Sequence, residues 1–259
     1  MITLYGGGSP NAMKIVLMLE ELALPYELVD IKVFEAAQFA PEFVKLNPIA
    51  KYPVIVDPQG APGQPIFESG AILQYLAETY RPDLLPASGP ARWETLKWLT
   101  AQVAWVGPMF GQHVHFRTHP SEDGTYAATR YRNQAKRICE VLDGELAQRP
   151  WLAGDAYTVA DIATWPWIAM IPNVGFDWAD YPALHAWHDR IAARPAAVRL
   201  AQVKADLMRA PFKMDEAALN RLFLRESGPK TDYSTMALAP ASAPETESQP
   251  VSQLANERP

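Results

Sequence analysis

The chain has 259 residues and a single cysteine, Cys139. No disulfide can form within it, which is the ordinary condition in a reducing compartment. It has no run of about 18 apolar residues, so no membrane-crossing helix is expected. Its first residues, Met1 to Tyr5, lack the basic start and apolar core of a secretory signal. It has no positive excess either: 23 Lys and Arg stand against 29 Asp and Glu, for a net charge of −6. Nucleic-acid binding calls for a basic stripe that neutralises phosphates. The expectation is a cytoplasmic protein with no nucleic-acid and no membrane partner. What is present is ordinary for a globular chain, with 49% hydrophobic and 20% charged residues. The length allows one large domain or two smaller ones.

Strand signals are confined to the first 80 residues. Ile2 to Tyr5 reads as a strand, and Ile15, Leu19 and Leu22 mark a helix of period 3.6 after Asn11. Tyr26 to Ile31 alternates, while Pro53 to Val56 and Pro65 to Phe67 read as two strands around a turn-rich loop. Ser69 to Tyr80 is again helical. The β-α-β start favours a parallel first pair, giving a small α/β domain over 1–80. Residues 81–90 carry three prolines and read as a linker. Residues 91–209 are helical by composition and period, with a bend expected at Gly107-Pro108. Thr158-Val-Ala-Asp161 has the spacing of a capping box. Residues 210–227 read as an extra amphipathic helix, for which plain surface packing is preferred to a cover over the substrate mouth. The stretch 228–259 is poor in large apolar residues and reads as a disordered tail.

Three places could carry chemistry. Gly6-Gly-Gly-Ser-Pro-Asn11 joins the first strand to the first helix. There the glycines permit close backbone approach, and Ser9 and Asn11 sit among free N–H groups that stabilise an anion, a thiolate included. A capped helix after a glycine turn explains the same spacing, and spacing alone favours it. Tyr52-Pro53 precedes a strand, where an X-Pro bond in the cis form would turn the Tyr52 backbone outward. Glu68-Ser69 stands at another helix start, with groups suited to an amine and to a carboxylate; here too a plain cap is the simpler reading.

The three coincide in one α/β domain followed by an all-helical one, and at this point the sequence resembles the glutathione transferase family. It is most similar to the bacterial Nu-class branch, relatives of the yeast nitrogen-regulator prion protein. The resemblance covers about residues 1–208. It is carried by Ser9-Pro-Asn11-Ala-Met-Lys-Ile15, Gln38 to Phe43, Phe67 to Leu73, Gly107 to Gln112 and Thr158 to Trp167. It implies a thioredoxin-like N-terminal domain, an all-α C-terminal domain, and glutathione as co-substrate. Asn11, with Ser9 beside it, resembles the pair that contacts the glutathione sulfur, and Tyr5, at the end of the first strand, is the runner-up. Tyr52 resembles the residue before a cis proline, Pro53. Gln38 and Lys51 resemble contacts to the glycine end, and Glu68 and Ser69 the clamp on the γ-glutamyl end. Arg130 resembles a residue that reaches the partner's glutathione in a homodimer. The second substrate would sit near Met109, Gln112, His113, Phe116 and Trp165.

Other signals are discounted. His113 and His115 stand two apart on a helix and face different ways, so no metal is expected. Cys139, between Ile138 and Val141 on a helical pattern, reads as buried and inert. The expected activity is a glutathione-dependent transferase or disulfide reductase, attacking a small-molecule disulfide, peroxide or carbon electrophile such as an aryl ether. The alternative is a non-catalytic glutathione-binding or regulatory protein that keeps the fold.

Overall fold

The computed structural model describes residues 1–119, 124–209, 220, 222 and 223. The N-terminal part runs β1 (Ile2–Gly6), α1 (Pro10–Leu22), β2 (Tyr26–Asp30), α2 (Pro41–Leu46), β3 (Val54–Val56), β4 (Pro65–Phe67) and α3 (Ser69–Tyr80). The sheet order is β2-β1-β3-β4. β1 runs parallel to β2, with Leu4 opposite Leu28, and antiparallel to β3, with Leu4 opposite Ile55. This is the thioredoxin-like arrangement, with β1 central.

Helices follow: α4 (Gly89–Ala101), α5 (Gly107–Thr118), α6 (Thr125–Leu146), α7 (Val159–Ile168), α8 (Pro182–Ala192) and α9 (Pro195–Arg209). The stretch read as a linker is a packed connector, in which Leu84 and Leu85 are buried. Where a bend was expected, at Gly107-Pro108, α4 passes into α5 through a π-turn over Gln102–Val106. Pro108 has no N–H to return to the carbonyl four residues back, and the wider turn takes up that loss.

One helix belongs to both halves. α1 packs on α3 from the sheet side and on α7 and α9 from the helical side. Covered all round, it is buried continuously from Ala12 to Leu19, as expected of a helix apolar on every face. α7 is held at its start by the expected capping box. Ala160 N–H donates to Thr158 Oγ1, and Asp161 Oδ2 accepts from Thr158 N–H at 3.0 Å. The other Asp161 oxygen accepts from Leu152 N–H at 3.0 Å and from Trp187 Nε1 at 2.9 Å. α7 is thereby fixed where it meets α1. Nearly all of the proposed extra helix and the whole of the expected tail lie outside the described residues.

Candidate active site

The start of α1 is where β1 delivers the chain into the interface between the two halves. Ser9 is the N-cap, with extended backbone, and accepts from Ala12 N–H at 3.4 Å. That is long for such a bond. The Tyr52 phenol stands above its usual range because it is buried, although a hydrogen bond with the Ser9 side chain pulls the other way. The Tyr52–Pro53 bond is cis. Gly7 leaves room there: a Cβ on it would lie 3.2 Å from the Tyr52 ring and hydroxyl, close enough to press on them. Two residues beyond Ser9, in the first turn of α1, Asn11 Oδ1 accepts from Trp167 Nε1 on α7 at 3.2 Å.

Two pockets lie at this turn, one lined by Ser9 and the other by Asn11. The first, of about 300 Å³, is lined by Ser9, Gln38, Lys51 and Tyr52 together with Leu222 and Phe223. Gln38 is 2% exposed, yet neither its Oε1 nor its Nε2 has a partner. A buried amide left in this state costs about 1–3 kcal/mol per unmet group, so it fits a ligand that brings its own donor and acceptor. A peptide end does so, and Lys51 adds a cation for its carboxylate. Leu222 and Phe223 are the described apolar residues of the proposed extra helix. They face this pocket, and the Phe223 ring lies 4.8 Å from the rings of both His115 and His119.

The second pocket, of about 190 Å³, is lined by Asn11, Lys14, Glu68, Ser69, Gly107 and Trp167, among others. Glu68 precedes α3 with φ 67°, a left-handed backbone that is strained in any residue but glycine. No side chain caps α3, so its first N–H groups stay open beside the buried Ser69 hydroxyl. Gly70 lets α3 approach the π-turn, since a Cβ there would come 2.9 Å from Val103.

Lys14 escaped the sequence reading. It is fully buried, and its Nζ donates to Gln102 Oε1 at 2.6 Å. Burial pushes its pKa down to about 7, against the opposing charge of Glu68. The signal was available: a lysine between Met13 and Ile15, on a helix apolar all round, has no solvated face to occupy.

The remaining expected residues are more scattered. Tyr5 meets Phe43 edge-on, with ring centroids 6.3 Å apart. Arg130 is exposed on α6. Met109 packs partly buried against the core, and Gln112 is exposed. Phe116 stacks on Tyr131 with centroids 5.5 Å apart. His113 is buried with Nε2 2.9 Å from the Val174 carbonyl, and it lines a different cavity with Arg117 and Arg132. Trp165 donates to the His188 carbonyl at 3.1 Å and stacks on that imidazole. None of these five expected second-substrate residues lines either pocket at the α1 start. Trp167, two positions on and so on another face of α7, does.

Cys139 is buried, and burial pushes its thiol up to about 12, as suits an inert core cysteine. Among the described residues no group of three His, Cys, Asp or Glu could hold a metal, and no helix is long and apolar enough to cross a membrane.

The sequence matches the glutathione S-transferase N-terminal domain over residues 1–78 and the glutathione S-transferase C-terminal domain over 107–195. It is 43% identical over 210 residues to the disulfide-bond oxidoreductase YfcG of Escherichia coli, covering 80% of this chain and 97% of that protein. The fold superposes on a glutathione transferase family member from Pseudomonas fluorescens, solved with two glutathione molecules bound. The TM-score is 0.70 at 41% identity, over 77% of this chain and 91% of that one. It superposes as well on the glutathione transferase URE2P8 of Phanerochaete chrysosporium with oxidized glutathione. Here the TM-score is 0.76 at 34% identity, over 81% and 97% of the two chains.

Proposed function

This chain belongs to the glutathione S-transferase family, in its Nu-class and Ure2p-like branch, and from that premise we propose that Asn11 and Ser9 stabilise a glutathione thiolate for attack on a disulfide. Glutathione is the co-substrate. Its thiol, when bound, attacks one disulfide sulfur, and a second glutathione completes the exchange, so that two glutathiones are oxidised to their disulfide and the acceptor leaves as two thiols.

The residues divide the work by chemistry. Glu68 takes the ammonium of the γ-glutamyl end, while Ser69 and the open N–H groups of α3 take its carboxylate. The Tyr52 backbone before Pro53 pairs with the cysteinyl unit. Gln38 and Lys51 hold the glycine end. The cysteinyl sulfur then falls at the α1 start, where Asn11 Nδ2, the Ser9 hydroxyl and the helix N-terminus all favour an anion. The acceptor is held on the helical side, along α5 at Met109, Gln112 and Phe116, while His113 and Trp165 serve the packing behind it. Residues 1–80 thus carry glutathione and 91–209 the acceptor. The protein is cytoplasmic and a homodimer in this reading, with Arg130 reaching the partner's glutathione.

One observation carries the proposal. Ser9 lines the pocket of Gln38 and Lys51, and Asn11, two residues on, lines the pocket of Glu68 and Ser69, so the middle residue of a tripeptide spanning both would lie at the α1 start. The test is glutathione-dependent reduction of a small synthetic disulfide. Asn11→Ala is expected to lower kcat/KM by about 100-fold, the loss seen when one donor to a developing anion is removed. An unchanged rate would sink the role of Asn11. Conjugation of an aryl halide without disulfide reduction would move the acceptor class to carbon electrophiles. Glutathione binding with no turnover in either assay would favour a regulatory protein.

A further inference from the structure

We propose that Trp167 is a positioning residue: its indole N–H holds the Asn11 amide in the one orientation that presents Nδ2 to the bound thiolate. The proposal deepens the assignment of Asn11 above and rests on it.

An indole N–H donates and never accepts. The Asn11 atom that faces it at 3.2 Å is therefore the oxygen, and the NH2 group is turned away. An asparagine amide has two orientations of nearly equal shape, related by a half-turn. In the other orientation NH2 would face the indole N–H, donor against donor, and the oxygen would point its lone pairs wherever NH2 now points. At an anion site the two are opposites, since one donates to the thiolate and the other repels it. The indole bond lifts the degeneracy before any ligand arrives, which is the condition for electrostatic catalysis without reorganisation.

Trp167 is itself held in place. It is 8% exposed, and it stands on α7, whose start is clamped by Thr158 and Asp161. Its ring lies against the glycine surface of α5: Cβ atoms placed on Gly107 and Gly111 would lie 3.5 and 3.7 Å from it. Trp167 and Asn11 are 156 residues apart in sequence, so the helical half sets the orientation of a side chain on the half that binds glutathione.

The test reads the bound thiol directly. Glutathione is bound to wild type, Asn11→Ala, Trp167→Phe and the double variant, and its thiolate ultraviolet absorbance is titrated with pH. Lys14 and Glu68, the charged groups lining the same pocket, are untouched in all four. Expected is a bound-thiol pKa in wild type below the free value of about 8.5. Trp167→Phe should raise it by about half a unit or more, and the double variant should match Asn11→Ala alone. A tryptophan that only packs would lower thermal stability and leave the bound-thiol pKa where it was. That result, or full additivity in the double variant, overturns the proposal. No change in Asn11→Ala itself would instead sink the thiolate role of Asn11, a distinguishable failure. Should the Phe variant not fold, a benzothiophene analogue of tryptophan at 167 has the same shape without the N–H and carries the same expectations.

Discussion

Helix starts of two kinds stand within the same interface. At α7, Thr158 and Asp161 meet the free N–H groups from inside the chain, and Asp161, though fully buried, accepts from Leu152, Thr158 and Trp187. At α1 and α3 the accounts are left open. Ser9 offers a single long bond, α3 has no side-chain cap, and Glu68 is held in a strained backbone. All three starts read alike in sequence, as a small polar residue before an apolar run. What separates structure from binding is whether the donors are used up. The same contrast divides two of the buried charges. Asp161 has a full set of N–H partners, whereas Gln102 is the one hydrogen-bond partner of the Lys14 ammonium among the described residues.

The contrast can be broken most forcefully at Asp161. Asp161→Ala strands three buried donors, and at about 1–3 kcal/mol for each the fold should lose on the order of 4 kcal/mol in urea unfolding. A loss under 1 kcal/mol would mean that the cap is not closed in the sense argued. Lys14 comes next. Its folded pKa of about 7 lies below the ordinary lysine value of about 10.4, so between those limits the unfolded chain binds the extra proton and stability rises with pH. The rise approaches about 1.4 kcal/mol per pH unit at most. Lys14→Met should flatten it between pH 7 and pH 9 relative to wild type, and parallel slopes for the two proteins would show the ammonium to be solvated. The smallest effect is a paired one. Thr158→Ala should cost about 1 kcal/mol, as caps usually do, while Ser9→Ala should cost half of that or less and show its effect in glutathione turnover instead. Equal stability losses would erase the distinction between the two starts.

Much of this was legible in the residues. The four strands, the parallel first pair and the capping box at Thr158 follow from periodicity and local chemistry, which depend on near neighbours. Tyr52, Glu68 and Ser69 stood out by local chemistry and Gln38 by resemblance, and the structure places them in two pockets, one lined by Ser9 and the other by Asn11. What escaped depends on contacts distant in sequence. α2 is a six-residue helix with no period of its own to display. The apolar neighbours of Lys14 announce its burial, but that its partner is Gln102, 88 residues on, appears only in the packed structure. Trp165 and Trp167 are equally aromatic and equally placed in the motif, and only the packing of α7 against α1 and α8 says which of them faces Asn11. The proline at 108 pointed to an irregular helix, but the π-turn over Gln102–Val106 reflects how backbone hydrogen bonds are redistributed upstream, which no single residue announces.

The π-turn at Gln102–Val106 has a consequence of another kind. It seats one residue more than a regular helix would over the same rise, and each residue of an α-helix turns the chain by about 100°. Gain or loss of one residue there would rotate α5 as a whole about its axis. Gly107 and Pro108 would swing away from the pocket of Asn11 and Glu68 while every side chain kept its identity. At this place the site depends on the count of residues as well as on their kind: buried Gln102 and Val106 are held by their contacts, exposed Ala104 can vary, and an insertion or deletion anywhere within 102–106 should be resisted.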